Sequence, residues 1–138
     1  MKRLIFLLFL MIIMLPAFSA TWQQIDNKRY IDIDSIETYK TKYDFEKSVI
    51  YSFWIKSLNN KSNYFNDIEK KYNKTVWYDV TRTLINCSDK TITTKSFVFY
   101  DLNSHVITSH EVPGYSLDWE SIVPDSIGEE YYYNICTN

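Results

Sequence analysis

Trp119-Glu-Ser-Ile-Val-Pro-Asp-Ser-Ile-Gly-Glu-Glu-Tyr-Tyr-Tyr-Asn-Ile-Cys136 is the stretch that sets the order of the rest of the chain. Pro124 and Asp125 stop whatever precedes them, since proline has no amide hydrogen with which to continue a regular element. Ser126 followed three residues later by Glu129 has the spacing of a capping box, in which side-chain oxygens take up amide hydrogens left unpaired in a first helical turn. A short helix is therefore expected to begin there and to end on Cys136. Along it, Ile127, Tyr131 and Ile135 share one stripe and are expected to be core, with Tyr132 beside them. Tyr133 points elsewhere and is the better candidate for an exposed contact. The only other cysteine, Cys87, stands in the middle of the chain at the end of a strand-like run, so a bridge between the two would fasten the tail to a sheet.

The opening of the chain says where such a bridge would form. Met1-Lys-Arg is basic, Leu4 to Leu15 is wholly apolar, and Pro16-Ala-Phe-Ser-Ala20 adds small residues and a helix breaker, the layout of a secretory signal peptide. The apolar run is short of the roughly 18 to 20 residues of a membrane span, so no transmembrane anchor is expected in the mature chain. Cleavage after Ser19 puts Ala17 and Ser19 at the two small-residue positions. We therefore expect residues 1–19 to be the leader and residues 20–138 to form one domain, periplasmic or secreted. In an oxidising compartment disulfides persist, and two cysteines allow a single intramolecular pairing, Cys87 with Cys136. Two buried free thiols or an intermolecular bridge are the alternatives. Closing a loop of about 50 residues is worth on the order of 4 kcal/mol through the unfolded state.

Between leader and tail the pattern is mainly that of strands. Thr21-Trp-Gln-Gln-Ile25 and Arg29-Tyr-Ile-Asp-Ile33 read as a hairpin around Asp26-Asn-Lys28. Ile36-Glu-Thr-Tyr39 reads as one helical turn or the start of a loop. From Lys47 to Ser57 the period is two, with Val49, Tyr51, Phe53 and Ile55 on one face and Ile50, Ser52, Trp54 and Lys56 on the other. A polar loop leads to a short amphipathic helix carrying Tyr64, Phe65, Ile68 and Tyr72. Val76 to Cys87 and Thr91 to Tyr100 form a second hairpin around Ser88-Asp-Lys90, and Val106 to Val112 adds a further strand after a turn at Asp101-Leu-Asn-Ser104. The expected fold is α+β: an antiparallel sheet of about six strands, a short mid-chain helix, and a C-terminal helix tied to the sheet by the disulfide.

Composition excludes more functions than it suggests. Loss of Lys2 and Arg3 with the leader reduces 15 basic residues to 13 against 17 acidic ones, a formal charge of −4 that disfavours nucleic acid as a partner. With only Gly114 and Gly128 in the chain, no glycine-rich loop can cradle a phosphate. His105 and His110 are the only imidazoles, and their odd spacing sends them to opposite faces of a strand, so no metal site is expected. Asp32-x-Asp34 and Glu129-Glu130 are the tightest carboxylate pairs, yet the first lacks the glycine and further ligands of a calcium loop. Turn formation or capping accounts for Asp34-Ser35 and for Glu129, and the first helical turn suits Glu130. No nucleophile elbow occurs, and cysteines held in a bridge offer no thiolate. No catalytic residue, cofactor or metal is expected. Twelve tyrosines and four tryptophans supply contact area with a polar tip, which suits a binding surface as well as a β-rich core.

The tail pattern Trp119-x-x-Ile122-x-Pro124-x-Ser126-Ile-Gly-Glu129, closing on Ile135-Cys136, resembles the surface-adhesin protein E family of bacterial secreted proteins. Trp22, Tyr30-Ile-Asp-x-Asp-Ser-Ile36, Trp54-Ile-Lys56 and the mid-chain Cys87 agree with it in order, so the resemblance covers nearly the whole mature chain. It implies an antiparallel sheet with a C-terminal helix held by one disulfide, for which Cys87 and Cys136 are the matching residues. For the namesake members it also implies adhesion to host matrix and serum proteins. The expected function is thus that of a non-enzymatic exported binding module with a host or envelope protein as partner. The namesakes resemble lipoproteins, whereas this leader has no cysteine to acylate, so the alternative is a periplasmic accessory or small-ligand-binding domain. The sequence specifies no oligomeric state.

Overall fold

The computed structural model of the protein describes residues 20–40 and 48–137. The expected leader and the first residue of the expected third strand, Lys47, lie outside the described residues. The strands β1 (Trp22–Gln24), β2 (Arg29–Thr38), β3 (Ile50–Leu58), β4 (Val76–Asn86), β5 (Thr91–Asp101) and β6 (Val106–Glu111) form an antiparallel sheet in chain order. Helix α1 (Asn63–Tyr72) connects β3 to β4, and α2 (Ile127–Cys136) follows the sheet.

Among the described residues the sheet has seven strands, in keeping with the about six expected. The extra one, β7 (Glu120–Ser121), pairs with Thr91 and Ile92 at the start of β5. It has no β pattern of its own; it forms because β6 pairs with β5 only from Ser96 to Tyr100 and leaves the near end of that edge free. The fold is otherwise the expected one, but the expectation for Ile36-Glu-Thr-Tyr39 was incorrect. β2 runs on to Thr38, and its pairing with β3 shifts between Asp32 and Glu37. The bulge is held by Ser35, whose Oγ donates to the Asp32 carbonyl at 2.6 Å and accepts from the Trp54 amide at 2.9 Å. Asp34-Ser35 is thus neither turn nor helix cap: both lie within a strand, and the Ser35 hydroxyl replaces a missing ladder bond.

Cross-strand partners share a face, so Phe53, Ile55 and Ser57 of β3 lie beside Thr83, Thr81 and Asp79 of β4. Two helices cover this inner face at its two ends. α2 lays Tyr131 and Ile135 against Ile31, Phe53, Ile55 and Ile85, and α1 lays Phe65 against Val76 and Phe99. Cys87, just past the end of β4, is bonded to Cys136, the last residue of α2, with 5.6 Å between their Cα atoms.

Both helices are closed by local chemistry. At α2 the Ser126 Oγ accepts from the Glu129 amide at 3.3 Å, as the capping box requires. The Glu129 carboxylate reaches the Asp125 amide at 2.9 Å instead of that of Ser126, which is already engaged by the Val123 carbonyl. α1 ends at Asn73 in the left-handed region, a conformation asparagine tolerates. The Glu69 carboxylate then accepts from the Val76 amide at 2.9 Å and the Asn59 side chain at 3.0 Å, binding α1 to the start of β4.

Candidate functional site: a polar cleft between the helices

The two apolar clusters do not merge. Between them the inner positions of β4 change character, from Ile85 to Thr83, Thr81 and Asp79, so neither helix can lay an apolar face there without stranding polar groups. The result is an open cleft of about 540 Å³. Ile55 and Ser57 of β3 and residues 92–94 of β5 complete its floor, Tyr64 of α1 and Tyr131 of α2 stand at its sides, and Val112, Ser116, Asp118 and Glu120 form the rim.

Asp79 lies at the centre of this arrangement, 3% exposed. Tyr64 Oη and Thr81 Oγ1 each donate to its Oδ2 at 3.2 Å. No donor among the described residues reaches Oδ1 within hydrogen-bonding geometry. Burial raises the pKa of this carboxyl above the ordinary aspartate value, and the Thr81 and Tyr64 hydroxyls, with Ser57 nearby but outside hydrogen-bonding geometry, oppose that rise. The Tyr64 phenol is pushed above its ordinary value by desolvation and then by the charge of Asp79. The ring remains half exposed, so this burial acts at its hydroxyl end. Tyr131 is likewise raised, first by burial.

The residues singled out in the sequence fall elsewhere. Tyr131 and Ile135 are buried as expected, with Ile127 packed beside them, and Tyr133 is 55% exposed. Asp32 and Asp34 both hold Thr21, through its amide and its hydroxyl respectively. His105 Nδ1 is 3.7 Å from the Asp101 carboxylate, while His110 lies 5.6 Å from the Phe97 ring, so the imidazoles do not converge. Among the described residues, no group of three or more His, Cys, Asp or Glu could hold a metal ion. On the sheet's opposite face, Lys56 Nζ lies 4.6 Å from the Tyr78 ring centre and 5.8 Å from that of Trp22, and Tyr78 stacks on Tyr100 at 4.7 Å.

Asp79 was missed by sequence reasoning, although a signal exists. It has the parity of Ile85 within a β-prone run, with Thr81 and Thr83 between them, so three consecutive inward positions are polar. Such a run on a core face marks a place where the core is interrupted.

The sequence model of the family described as Surface-adhesin protein E matches residues 19–137. The chain belongs to the surface-adhesin protein E family. Solved structures of Haemophilus influenzae protein E have a similar fold. One superposes with a TM-score of 0.56 at 18% identity, covering 85% of this chain and 84% of that one. Another, of crystal form II, gives 0.54 at 18% identity, covering 80% and 81%. No curated protein matches the sequence. The surface-adhesin protein E chain thus shares its architecture with protein E, at an identity too low to transfer individual side chains. Among the described residues, no helix is long and apolar enough to cross a membrane.

Proposed function

We propose that this protein is an exported, non-enzymatic binding module that holds a protein partner of the host matrix, host serum or bacterial envelope. The observation that carries this reading is the family match, which spans the chain from the expected end of the leader to the C-terminal disulfide. The export step rests on the leader-like residues 1–19 and on a bridge between cysteines, which suits an oxidising compartment. The aromatic face carrying Trp22, Trp77, Tyr78 and Tyr100, with Trp77 45% exposed, has the composition of a protein-binding surface. Cell fractionation together with binding of the purified protein to immobilised matrix and serum proteins tests this. Recovery only from the periplasm, with no binding to any of them, would remove the adhesive role.

The cleft favours a second reading, a domain that captures a small ligand. Its volume falls in the range of about 300 to 1,000 Å³ typical of ligand sites, and buried polar groups converge in it.

A further inference from the structure

We propose that the cleft between α1 and α2 recognises an organic cation, an alkylammonium or guanidinium group whose N–H donors meet the unpaired oxygen of Asp79. This goes beyond the adhesive reading and does not depend on it, because the cleft and the aromatic face lie on opposite sides of the sheet.

The inference starts from the asymmetry of one carboxyl. Its Oδ2 accepts from Tyr64 and Thr81, and its Oδ1 meets no donor among the described residues within hydrogen-bonding geometry, the nearby Ser57 included, although the residue is only 3% exposed. An acceptor stranded in this way is costly, and a bound donor offsets the cost. A cationic donor does so twice, by completing the hydrogen bonding and by neutralising a charge held in a medium of reduced dielectric.

The surroundings distinguish a cation from a neutral donor. Asp118 and Glu120 add two acids at the rim, and among the described residues no lysine or arginine lines the cleft. The neighbouring Lys95 is already engaged, with Nζ 2.6 Å from the Val112 carbonyl oxygen and 3.1 Å from the Glu111 carboxylate. The field inside is therefore negative and draws positive charge. Tyr64 and Tyr131 flank the carboxyl, and aromatic rings attract ammonium and guanidinium groups through their faces. A bare metal ion does not fit as well, because Asp79, Asp118 and Glu120 do not converge into a ligand set. The volume accommodates a chain of several carbons behind the charged head, against Ile55 and Ile92.

The same chemistry can come from a free amine or from a lysine side chain of a partner protein, and two probes separate these sources. Titration of the purified protein, followed by calorimetry and by amide NMR shifts, uses 1,4-diaminobutane as one probe and N-acetyl-lysine-methylamide as the other. N-acetyl-norleucine-methylamide, which lacks the charged head, is the neutral control. The expected result is saturable binding of at least one amine, with shifts at Tyr64, Asp79 and Thr81 and none from the control. Asp79→Asn should weaken binding by about 30-fold or more, while melting at or above the wild-type temperature. The melting temperature shows that the loss is not unfolding. Preference for the diamine assigns a free amine, and preference for the lysine amide assigns a partner's side chain. Binding of neither amine, equal binding of the control, or unchanged binding by Asp79→Asn would overturn the proposal. The adhesion assay has a separate readout, so either idea can fail without the other.

Discussion

The two ends of the inner face solve the same problem in different ways. At one end α2 carries a modest stripe, Ile127, Tyr131 and Ile135, and is held to the sheet by a covalent bond from its last residue. At the other, α1 has no covalent tie and no side-chain cap at Ser62. It relies on aromatic packing, with Phe65 edge-on to Phe99 at 5.9 Å and Tyr64 at 5.1 Å from the same ring, and on the Glu69 carboxylate. The difference follows from position in the chain. α1 is bracketed by β3 and β4, so both its ends are fixed by strands, whereas among the described residues no strand follows α2. An element joined to the sheet at one end only frays unless something holds the other, and here a bridge does so.

The largest test of this contrast is removal of the bridge. Cys87→Ser should lower the unfolding free energy by about 4 kcal/mol, within the usual 2 to 5, as read from denaturant melts. Amide exchange should accelerate in α2 and remain slow in α1; unchanged protection of α2 would mean that packing alone holds it. Phe65→Ala makes the reciprocal test. Loss of its buried ring should cost about 3 kcal/mol and loosen α1 while leaving α2 protected. If both helices loosen together, the two clusters form one cooperative unit.

Between the helices the expected sign reverses. Asp79→Asn removes a buried charge with one oxygen unpaired and should stabilise the protein by about 1 to 2 kcal/mol at neutral pH. Because burial raises the folded-state value of this carboxyl above that of the unfolded chain, the wild type pays this penalty in full above the folded-state value. As pH falls through that value toward the ordinary aspartate range, the folded state takes up a proton first and the advantage of the variant shrinks. Parallel melts across this window check the sign; a gap that widens on acidification would contradict it. The smallest effect is expected at the start of α2, where Ser126→Ala should cost about 1 kcal/mol, because the Glu129 side chain still holds the Asp125 amide.

Much of the scaffold was legible because its signals are local. Alternation in Val49 to Lys56, the turn residues at Ser88-Asp-Lys90, and the Ser126/Glu129 spacing each act within a few residues, and the structure contains the strands, hairpin and helix they imply. Two features were decided by distant partners. β7 exists because β5 has an edge to spare, and the bulge in β2 exists because Ser35 meets the Trp54 amide across 19 residues. The cleft belongs to the second kind. Nothing near Asp79 in sequence indicates that Tyr64 bonds it from a helix or that Tyr131 stands on the other side. What could be read was the parity of Asp79, Thr81 and Thr83, a sign that the core is broken but not of what breaks it.

β6 and β7 both run along β5, so the segment from Val112 to Trp119 leaves one strand and returns to it. Exchanges or insertions in that excursion leave the paired stretches on either side untouched, whereas floor positions are constrained on both flanks. Selection can therefore retune the entrance independently of the foundation, and sibling proteins with this architecture are expected to differ most in that segment, each admitting a different guest.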